Sequence, residues 1–275
     1  MPKVYFITAA NRPRGLGFTL VSKISALPYT LVFATARNPA AATELNELAR
    51  ERGNIVVVRL EAVSEVDAKA AAALVAEKAG KVDYLVPCVG ASISAQRKVR
   101  LQTYNRTGFV HPLTGMQHPA YLHQQPIDQF RETFEINVLS QVILYQAFLP
   151  LLLKANKPVF MPLSSGAGSA STVYPFPIGS YGMSKAALTY FAVKVNSEQP
   201  HLCSFAVHPG VIKTDFYFVI LEQHPDLAAG MAMLPDEMYL TAEQSADGMI
   251  KVLHEATRET HGGKFLDYKG DDMPW

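Results

Sequence analysis

Tyr181 and Lys185 lie four residues apart in the stretch SYGMSK, at the start of a predicted helix. Side chains at this spacing share one face of a helix. A tyrosine can protonate a carbonyl oxygen, and a neighbouring ammonium group lowers its ordinary pKa of about 10 by favouring the phenolate. Either of two hydroxyls in the preceding loop, Ser164 or Ser165, could hold the substrate oxygen. The tyrosine and lysine alone are more often structural than catalytic, so the interpretation depends on what accompanies them.

A second chemical signal is the stretch TAANRPRGLGFTL, residues 8–20, which joins an apolar run to an amphipathic one. Gly15 and Gly17 stand where a helix would begin, a layout typical of a loop and helix N-terminus that bind a phosphate. Ala9 occupies the place of a tight glycine turn, where a positive φ would cost on the order of 1 kcal/mol. Because the two glycines that let a backbone approach a pyrophosphate are kept, the sequence predicts an altered but working dinucleotide loop.

Strand-like and helical runs alternate along the chain. The predicted strands are residues 3–9, 30–35, 54–60, 83–89, 158–163, 202–208 and 263–268. Near-continuous apolar strands separated by helices predict an α/β fold over residues 1–275. We expect one domain, a Rossmann-type doubly wound parallel sheet of about seven strands with helices on both faces. Because ligands bind beyond the carboxyl ends of such strands, the loops that follow them should form one site.

Composition excludes several classes of protein. The 275 residues are 49% hydrophobic and 18% charged with a net charge of +1, so no basic excess suggests a nucleic-acid partner. Cys88 and Cys203 are the only cysteines, and no signal peptide precedes the first strand, which favours a reduced cytoplasmic setting. The apolar stretch 142–153 is short and interrupted by Gln146 and Pro150, so it predicts a buried helix rather than a membrane span.

Taken in chain order, these features resemble the short-chain dehydrogenase/reductase family from Val4 to Trp275. The resemblance rests on the glycine loop, the serine pair, Tyr-Gly-Met-Ser-Lys and HPGVIKTD. It implies a general acid/base at Tyr181, a carbonyl-polarising hydroxyl at Ser165, and a lysine, Lys185, that binds the nicotinamide ribose and lowers the tyrosine pKa. Asn137, in FEINV, would support a water-linked proton relay. The ending GGKFLDYKGDDMPW is similar to that of fungal carbonyl reductases in the family.

The resemblance also implies a nicotinamide cofactor. The residues that would bind it are Thr8, Asn11, Arg14, Gly15, Leu16, Gly17, Arg37, Glu61, Gly90, Asn137, Tyr181, Lys185, Pro209, Gly210, Val211 and Thr214.

The residues after the second strand predict that this cofactor is NADP(H). An NAD-selective sheet places an acidic residue about 20 positions past the glycine loop, but this chain has Arg37 there with no acid near. A guanidinium can bind a ribose 2′-phosphate bidentately. Arg12 and Arg14 add positive charge nearby, and the sequence leaves open which of them matches the basic residue that precedes the glycine in NADPH-using relatives.

Several positions depart from the family pattern. Pro87, Cys88 and Val89 replace the usual asparagines and alanine before Gly90, and Glu61 stands where the family has an acidic residue after the third strand. The interval from Ser165 to Tyr181 is longer than usual, which leaves the choice between the two serines open.

Two segments are expected to shape the substrate pocket. Residues 91–126 form a long insertion after the fourth strand, with Tyr104, Phe109 and Tyr121 as candidate wall residues. The apolar segment 211–240 should close over the substrate and favours a hydrophobic substrate, with aromatic compounds among the candidates. Histidines in the insertion fit no regular ligand spacing, so no metal site is predicted.

The sequence therefore predicts an NADPH-dependent carbonyl reductase that acts on a small-molecule ketone, aldehyde or secondary alcohol. Neither a nucleic acid nor a membrane is expected as a partner. The resemblance implies a homodimer or homotetramer formed through the helices near 127–155 and 180–198. The alternatives are a non-catalytic NADP-binding sensor or partner-binding protein on the same fold, and an isomerase or dehydratase that uses the same tyrosine.

Overall fold

The central sheet is built from short apolar runs that are buried on both faces. In the computed structural model, which describes residues 2–89, 122–174, 178–214, 217–218 and 225–275, six strands pair in parallel in the order β3-β2-β1-β4-β5-β6. Two short pairs accompany this sheet, β10 with β7 and β8 with β9, both parallel. The strands are β1 Lys3–Ile7, β2 Thr30–Ala36, β3 Ile55–Arg59, β4 Tyr84–Val86, β5 Val159–Phe160, β6 Cys203–Ser204, β7 Ala206–His208, β8 Val211–Ile212, β9 Tyr239–Leu240 and β10 Phe265–Asp267.

Helices cover both faces of this sheet, because alternate residues of each strand point to opposite sides. In β1, Tyr5 and Ile7 pack into one apolar cluster and Val4 and Phe6 into the other. The first cluster includes the first and last helices, and the second includes the third, fifth and sixth. The helices are α1 Leu16–Ser25, α2 Thr43–Arg52, α3 Glu65–Ala79, α4 Ile127–Phe134, α5 Ser140–Leu152, α6 Gly179–Glu198, α7 Pro225–Met231 and α8 Ala242–Glu255.

The predicted doubly wound parallel sheet is confirmed, and its strand order locates the crevice. The chain runs outward from β1 through β2 to β3 and then returns to β4 on the other side of β1. Loops that leave neighbouring strands in opposite directions open a crevice at their carboxyl ends, which is where ligands bind in such sheets. The crevice therefore lies beyond β1 and β4.

Several predicted strands are shorter in the structure, for local reasons. The first ends at Ile7 rather than residue 9, since Ala9 turns the chain with a φ of +55°. The fourth ends before Pro87, which has no N–H to donate. The sixth is interrupted at Phe205 and continues as β7, which pairs with β10. These corrections leave the topology unchanged.

One long helical run connects α4 to α5 through a single π-helical turn, Glu135–Leu139. By length and composition alone the run Ile127–Leu152 could cross a membrane, but core helices of soluble proteins pass the same test. Within this run, Leu144 and Phe148 pack into the core beneath the sheet, as the sequence predicts for 142–153. The predicted pocket-wall residues Tyr104, Phe109 and Tyr121 lie outside the described residues, and so does Gly90.

Candidate active site

The two serines after β5, Ser164 and Ser165, have side chains with different hydrogen-bond partners. Ser165 caps a short 3₁₀ turn, where its Oγ accepts a hydrogen bond from the Ala167 N–H at 3.2 Å. The same side chain is hydrogen-bonded to Tyr181. Ser164 is buried and faces the other way, with its Oγ 3.0 Å from the Lys185 carbonyl and 2.6 Å from Thr189 Oγ1. The structure thus brings Ser165, and not Ser164, to the tyrosine hydroxyl.

Lys185 lies one helical turn beyond Tyr181, with its Nζ 5.6 Å from the centre of the tyrosine ring. Its side chain is buried, and the Nζ donates a hydrogen bond of 2.7 Å to the Leu163 carbonyl. Burial lowers the pKa of Lys185 to about 8, an effect that the nearby Cys88 opposes. In this arrangement the ammonium group is held at the end of β5, beside the phenol ring.

Two opposing effects act on the pKa of Tyr181. Burial raises the pKa of its hydroxyl, and the hydrogen bond from Ser165 lowers it. Burial and the Ser165 hydroxyl therefore act on this pKa in opposite directions. The lowering of the tyrosine pKa by Lys185 stays a prediction.

Asn137 is completely buried within the π-helical turn. Its Nδ2 donates to Ser184 Oγ at 2.9 Å, and that hydroxyl in turn donates to the Tyr181 carbonyl at 2.7 Å. The asparagine is thus fixed to the turn of α6 that carries the tyrosine. π-Helical turns are rare and frequently occur at functional sites. The geometry joins Asn137 to the cluster, and the water-linked relay stays a prediction.

Two glycines that the sequence analysis did not include seat the serine loop on α6. A Cβ on Gly168 would lie 2.6 Å from the Ala186 nitrogen, and one on Gly182 would lie 2.6 Å from the Ala167 oxygen. Only glycine allows this approach, and it fixes the distance between the serine and the tyrosine. The small residues in SGAG and YGMS are the signal that could have identified this contact.

The glycine loop has the geometry of an anion site. Gly15 is the N-cap of α1, without a side-chain cap, and the first turn contains no acidic residue. The N–H groups of that turn are therefore available to a ligand, and the helix dipole favours a negative one. A Cβ on Gly17 would lie 2.7 Å from the Ala9 oxygen and 2.9 Å from the Thr8 oxygen, so helix and strand require this glycine. The predicted positive φ at Ala9 is confirmed, at +55°.

Positive charge lies at the rim of this loop. Arg37 is exposed directly beyond the end of β2, and Arg12 and Arg14 are exposed within the loop itself. Asn11 is also exposed, whereas Leu16 is half-buried. This rim can attract a phosphate that projects from the crevice.

Glu61 follows β3 on the same edge of the sheet. Its side chain is half-buried, and its backbone N–H donates to Asp67 Oδ2 at 2.9 Å. Asp67 also forms an ion pair with Arg59 at 2.9 Å. Two carboxylates therefore structure this loop. Glu61 Oε1 accepts a hydrogen bond of 3.2 Å from the Ala62 N–H, and Asp67, a residue of α3 that the sequence analysis did not single out, binds the Glu61 N–H and Arg59.

A small, mostly apolar cavity lies between the loops after β3 and β4. Gln141 of α5 is 1% exposed there, and its Nε2 donates to the Val89 carbonyl at 3.1 Å. Its Oε1 is buried and has no hydrogen-bond partner in the part of the chain that the structure describes. The residues that line the cavity are Thr8, Leu60, Ala62, Ala68, Pro87, Val89, Ser140, Gln141 and Leu144.

The loop before this cavity lacks the family's asparagines, but it is still held to β1. Thr8 Oγ1 accepts a hydrogen bond of 2.9 Å from the Cys88 N–H, while Gln141 holds the next carbonyl. The anion site and the positive rim together fit a ligand that carries phosphate groups.

The loop after β7 completes the opposite end of the crevice. Gly210 has a φ of +84°, which favours glycine, and the Pro209 carbonyl accepts a hydrogen bond of 2.6 Å from Ser245 Oγ. Val211 begins β8, which pairs with β9, and Thr214 Oγ1 accepts from the Tyr217 N–H at 3.3 Å. These residues lie at the carboxyl end of β7, beside the serine pair.

The segments that form this crevice lie within the part of the chain that matches known proteins. The chain matches the family model described as short chain dehydrogenase over residues 3–223. An uncharacterised oxidoreductase of Schizosaccharomyces pombe is 31% identical over 275 residues, covering 99% of this chain and 98% of that protein. A norsolorinic acid ketoreductase of Dothistroma septosporum is 29% identical, covering 98% of this chain and 92% of that protein.

A solved structure agrees with these relatives. The NADPH-bound carbonyl reductase from chicken fatty liver matches the fold with a TM-score of 0.79 at 28% identity. The match covers 100% of this chain and 94% of that one. The similarity therefore extends over the glycine loop, the serine pair and the tyrosine helix together.

Proposed function

Because the chain belongs to the short-chain dehydrogenase family, we propose that this oxidoreductase is an NADPH-dependent carbonyl reductase. It would transfer a hydride between nicotinamide and a hydrophobic ketone, aldehyde or secondary alcohol. The observation that carries the proposal is the hydrogen bond between Ser165 and Tyr181 beside the buried Lys185. A relative named as a ketoreductase and a structural neighbour with bound NADPH support it.

In the proposed mechanism the carbonyl oxygen of the substrate lies between two hydroxyls. Ser165 donates a hydrogen bond that polarises the carbonyl, and Tyr181 gives its proton to the oxygen as negative charge develops there. The nicotinamide, when bound, supplies the hydride. Lys185 would stabilise the phenolate that remains and bind the cofactor ribose. In the reverse direction the same tyrosine accepts the proton of an alcohol.

The cofactor is proposed to be NADPH on the basis of charge at the rim of the crevice. Gly15 and the first turn of α1 would hold the pyrophosphate, and Arg37 with Arg14 would bind the ribose 2′-phosphate. The adenine would lie against the loop after β3, which carries Glu61. No acidic side chain directly follows β2, where an NAD-selective protein places one.

The test is a reductase assay on the purified protein. Incubation with NADPH and a panel of ketones should consume the reduced cofactor, as measured by its absorbance. Ser165→Ala should lower kcat by roughly a hundredfold, since it removes a donor to the developing oxyanion.

Ser164→Ala is the matched control, because this neighbouring hydroxyl binds the Lys185 carbonyl and Thr189 instead of the tyrosine. This variant should have a lower melting temperature than the wild type, and its kcat should stay close to that of the wild type. NADPH binding without turnover of any ketone or alcohol would instead support the non-catalytic alternative.

A further inference from the structure

Gln125 lies two residues before the start of α4, at the end of the segment 91–126, and the mechanism above does not use it. Its side chain is buried, with 8% of the residue exposed. The Nε2 donates a hydrogen bond of 2.7 Å to Ser180 Oγ, and the Oε1 accepts one of 3.1 Å from the Ser180 N–H. Ser180 is completely buried and directly precedes Tyr181. A side chain from another part of the fold therefore holds the residue next to the proposed general acid.

The start of α6 depends on this contact, because its N-cap residue, Ile178, forms no side-chain cap. The first N–H groups of a helix have no partner within the helix, and helix ends fray. Tyr181 is the third residue of α6, so it lies in the turn that frays most easily. The Gln125 Oε1 supplies the acceptor that a capping side chain would otherwise provide.

A glycine lets the segment before α4 lie directly against the helix start. A Cβ on Gly179 would lie 2.9 Å from Leu122 Cγ and 3.3 Å from Gln125 Oε1, so a larger residue would require the Leu122 side chain to move. The first residue of α6 is thus packed against the same short segment that binds Ser180. The contact consists of packing as well as hydrogen bonds.

Asn137 holds the same helical turn at a second point. Its Nδ2 donates to Ser184 Oγ, and that hydroxyl donates to the Tyr181 carbonyl. Gln125 precedes α4 and Asn137 follows it, so residues on both sides of one helix bind α6 before and after the tyrosine. The backbone of Tyr181 is therefore fixed from both directions along the chain.

We propose that Gln125 is a positioning residue for Tyr181, which fixes the start of α6 through Ser180. The inference rests on the proposed reductase function, since it concerns the group that is proposed to transfer the proton. A displacement of about 1 Å in a reacting group can lower a rate about a hundredfold. Gln125 binds neither substrate nor cofactor in this role, so its loss should act on kcat rather than on cofactor binding.

The first variant is Gln125→Met, which keeps the length of the side chain and removes both hydrogen bonds. The kcat for ketone reduction should fall about tenfold, while the Kd for NADPH stays within about threefold of the wild type. Gln129→Met is the matched control, because Gln129 is a buried glutamine of α4 whose side-chain amide has no hydrogen-bond partner among the described residues. It should leave kcat unchanged. Thermal unfolding verifies that both variants are folded.

Gln125→Glu tests whether the acceptor at the helix start carries the effect. A carboxylate can accept hydrogen bonds from the Ser180 N–H and from the Ser180 hydroxyl, whose proton can turn towards it. The N-terminus of a helix also favours a negative charge. This variant should therefore restore kcat to within about threefold of the wild type.

A positioning residue acts only when the group that it positions is present. Gln125→Met should therefore lower the residual rate of Tyr181→Phe by less than about twofold, although it lowers the rate of the wild type about tenfold. Single-turnover measurements with the enzyme in excess over NADPH keep the residual rate measurable. A residue that merely stabilises the fold would lower both rates by the same factor.

The outcomes separate this inference from the proposed function. An unchanged kcat in Gln125→Met, an equal loss with and without the tyrosine hydroxyl, or a failure of Gln125→Glu to restore kcat would overturn the positioning role while the reductase function stands. A wild type that reduces no ketone with NADPH would reject both proposals.

Discussion

The two ends of the crevice differ in how much of their geometry exists before a ligand binds. At the catalytic end, Ser165, Tyr181 and Lys185 are half-buried or buried and already hydrogen-bonded within the protein. At the cofactor end, Gly15 is an uncapped helix start and Arg37 is an exposed side chain in water. The side chains proposed for catalysis are therefore held by packing, whereas those proposed to bind the 2′-phosphate are exposed.

The largest effect that tests this comparison is the loss of the tyrosine hydroxyl. Tyr181→Phe should lower kcat by a hundredfold to ten-thousandfold, because a positioned general acid is lost. The Kd for NADPH, measured by fluorescence titration, should change by no more than about threefold. A retained rate above roughly a tenth of the wild type would reject Tyr181 as the acid, and a large change in Kd would show that the two ends are coupled.

A second prediction concerns the stability cost of the buried lysine. Its pKa is lowered to about 8 in the folded protein, below its ordinary value of about 10.5, so the unfolded chain binds more protons between these values. Stability should therefore rise with pH from about 8 towards 10.5. Relative to Lys185→Met, the wild type should gain up to about 3 kcal/mol over this window.

Chemical denaturation of both proteins across the pH series measures this difference. Parallel stability curves for wild type and Lys185→Met would show that the ammonium group is not destabilised by burial. Arg37, which is exposed, serves as the contrasting position, since its replacement should not change the slope in the same window.

The third prediction tests the exposed end. Wild type should prefer NADPH over NADH by about tenfold in kcat/KM, or about 1.4 kcal/mol, the scale of one charge-assisted contact. Arg37→Asp should lose most of this preference, because a carboxylate repels the 2′-phosphate. Equal use of both cofactors by the wild type would show that Arg37 does not reach the phosphate.

The smallest effect is expected at the cavity between the two ends. Gln141→Leu removes the hydrogen bond that Nε2 donates to the Val89 carbonyl, which holds the loop after β4, so the Kd for NADPH should rise about threefold. Gln129 is a buried glutamine of α4 whose side-chain amide has no hydrogen-bond partner among the described residues, and Gln129→Leu should leave the Kd unchanged. An unchanged Kd in Gln141→Leu would show that this hydrogen bond does not contribute to cofactor binding.

Local patterns in the sequence were sufficient to predict the order of the strands and helices along the chain. The helix α3 begins at a side-chain cap on Ser64 and ends at a left-handed Gly80, and both are signals that a sequence shows directly. The predicted strand ends were less accurate. Ala9 and Pro87 end their strands through constraints on the backbone, which cannot be seen from the apolar character of the residues. The parallel sheet was predictable because its strands must be apolar on both faces.

The sequence by itself determined which residue types could act: a tyrosine and lysine on one helical face, a serine pair, and glycines at a helix start. Spacing along the chain carries this information, because i and i+4 positions meet in any helix. Only the tertiary structure decided between Ser164 and Ser165, since their orientations depend on packing against α6. It also brought Gln125 to the start of α6, because residues 55 positions apart in the sequence become neighbours only when the segment before α4 packs against that helix.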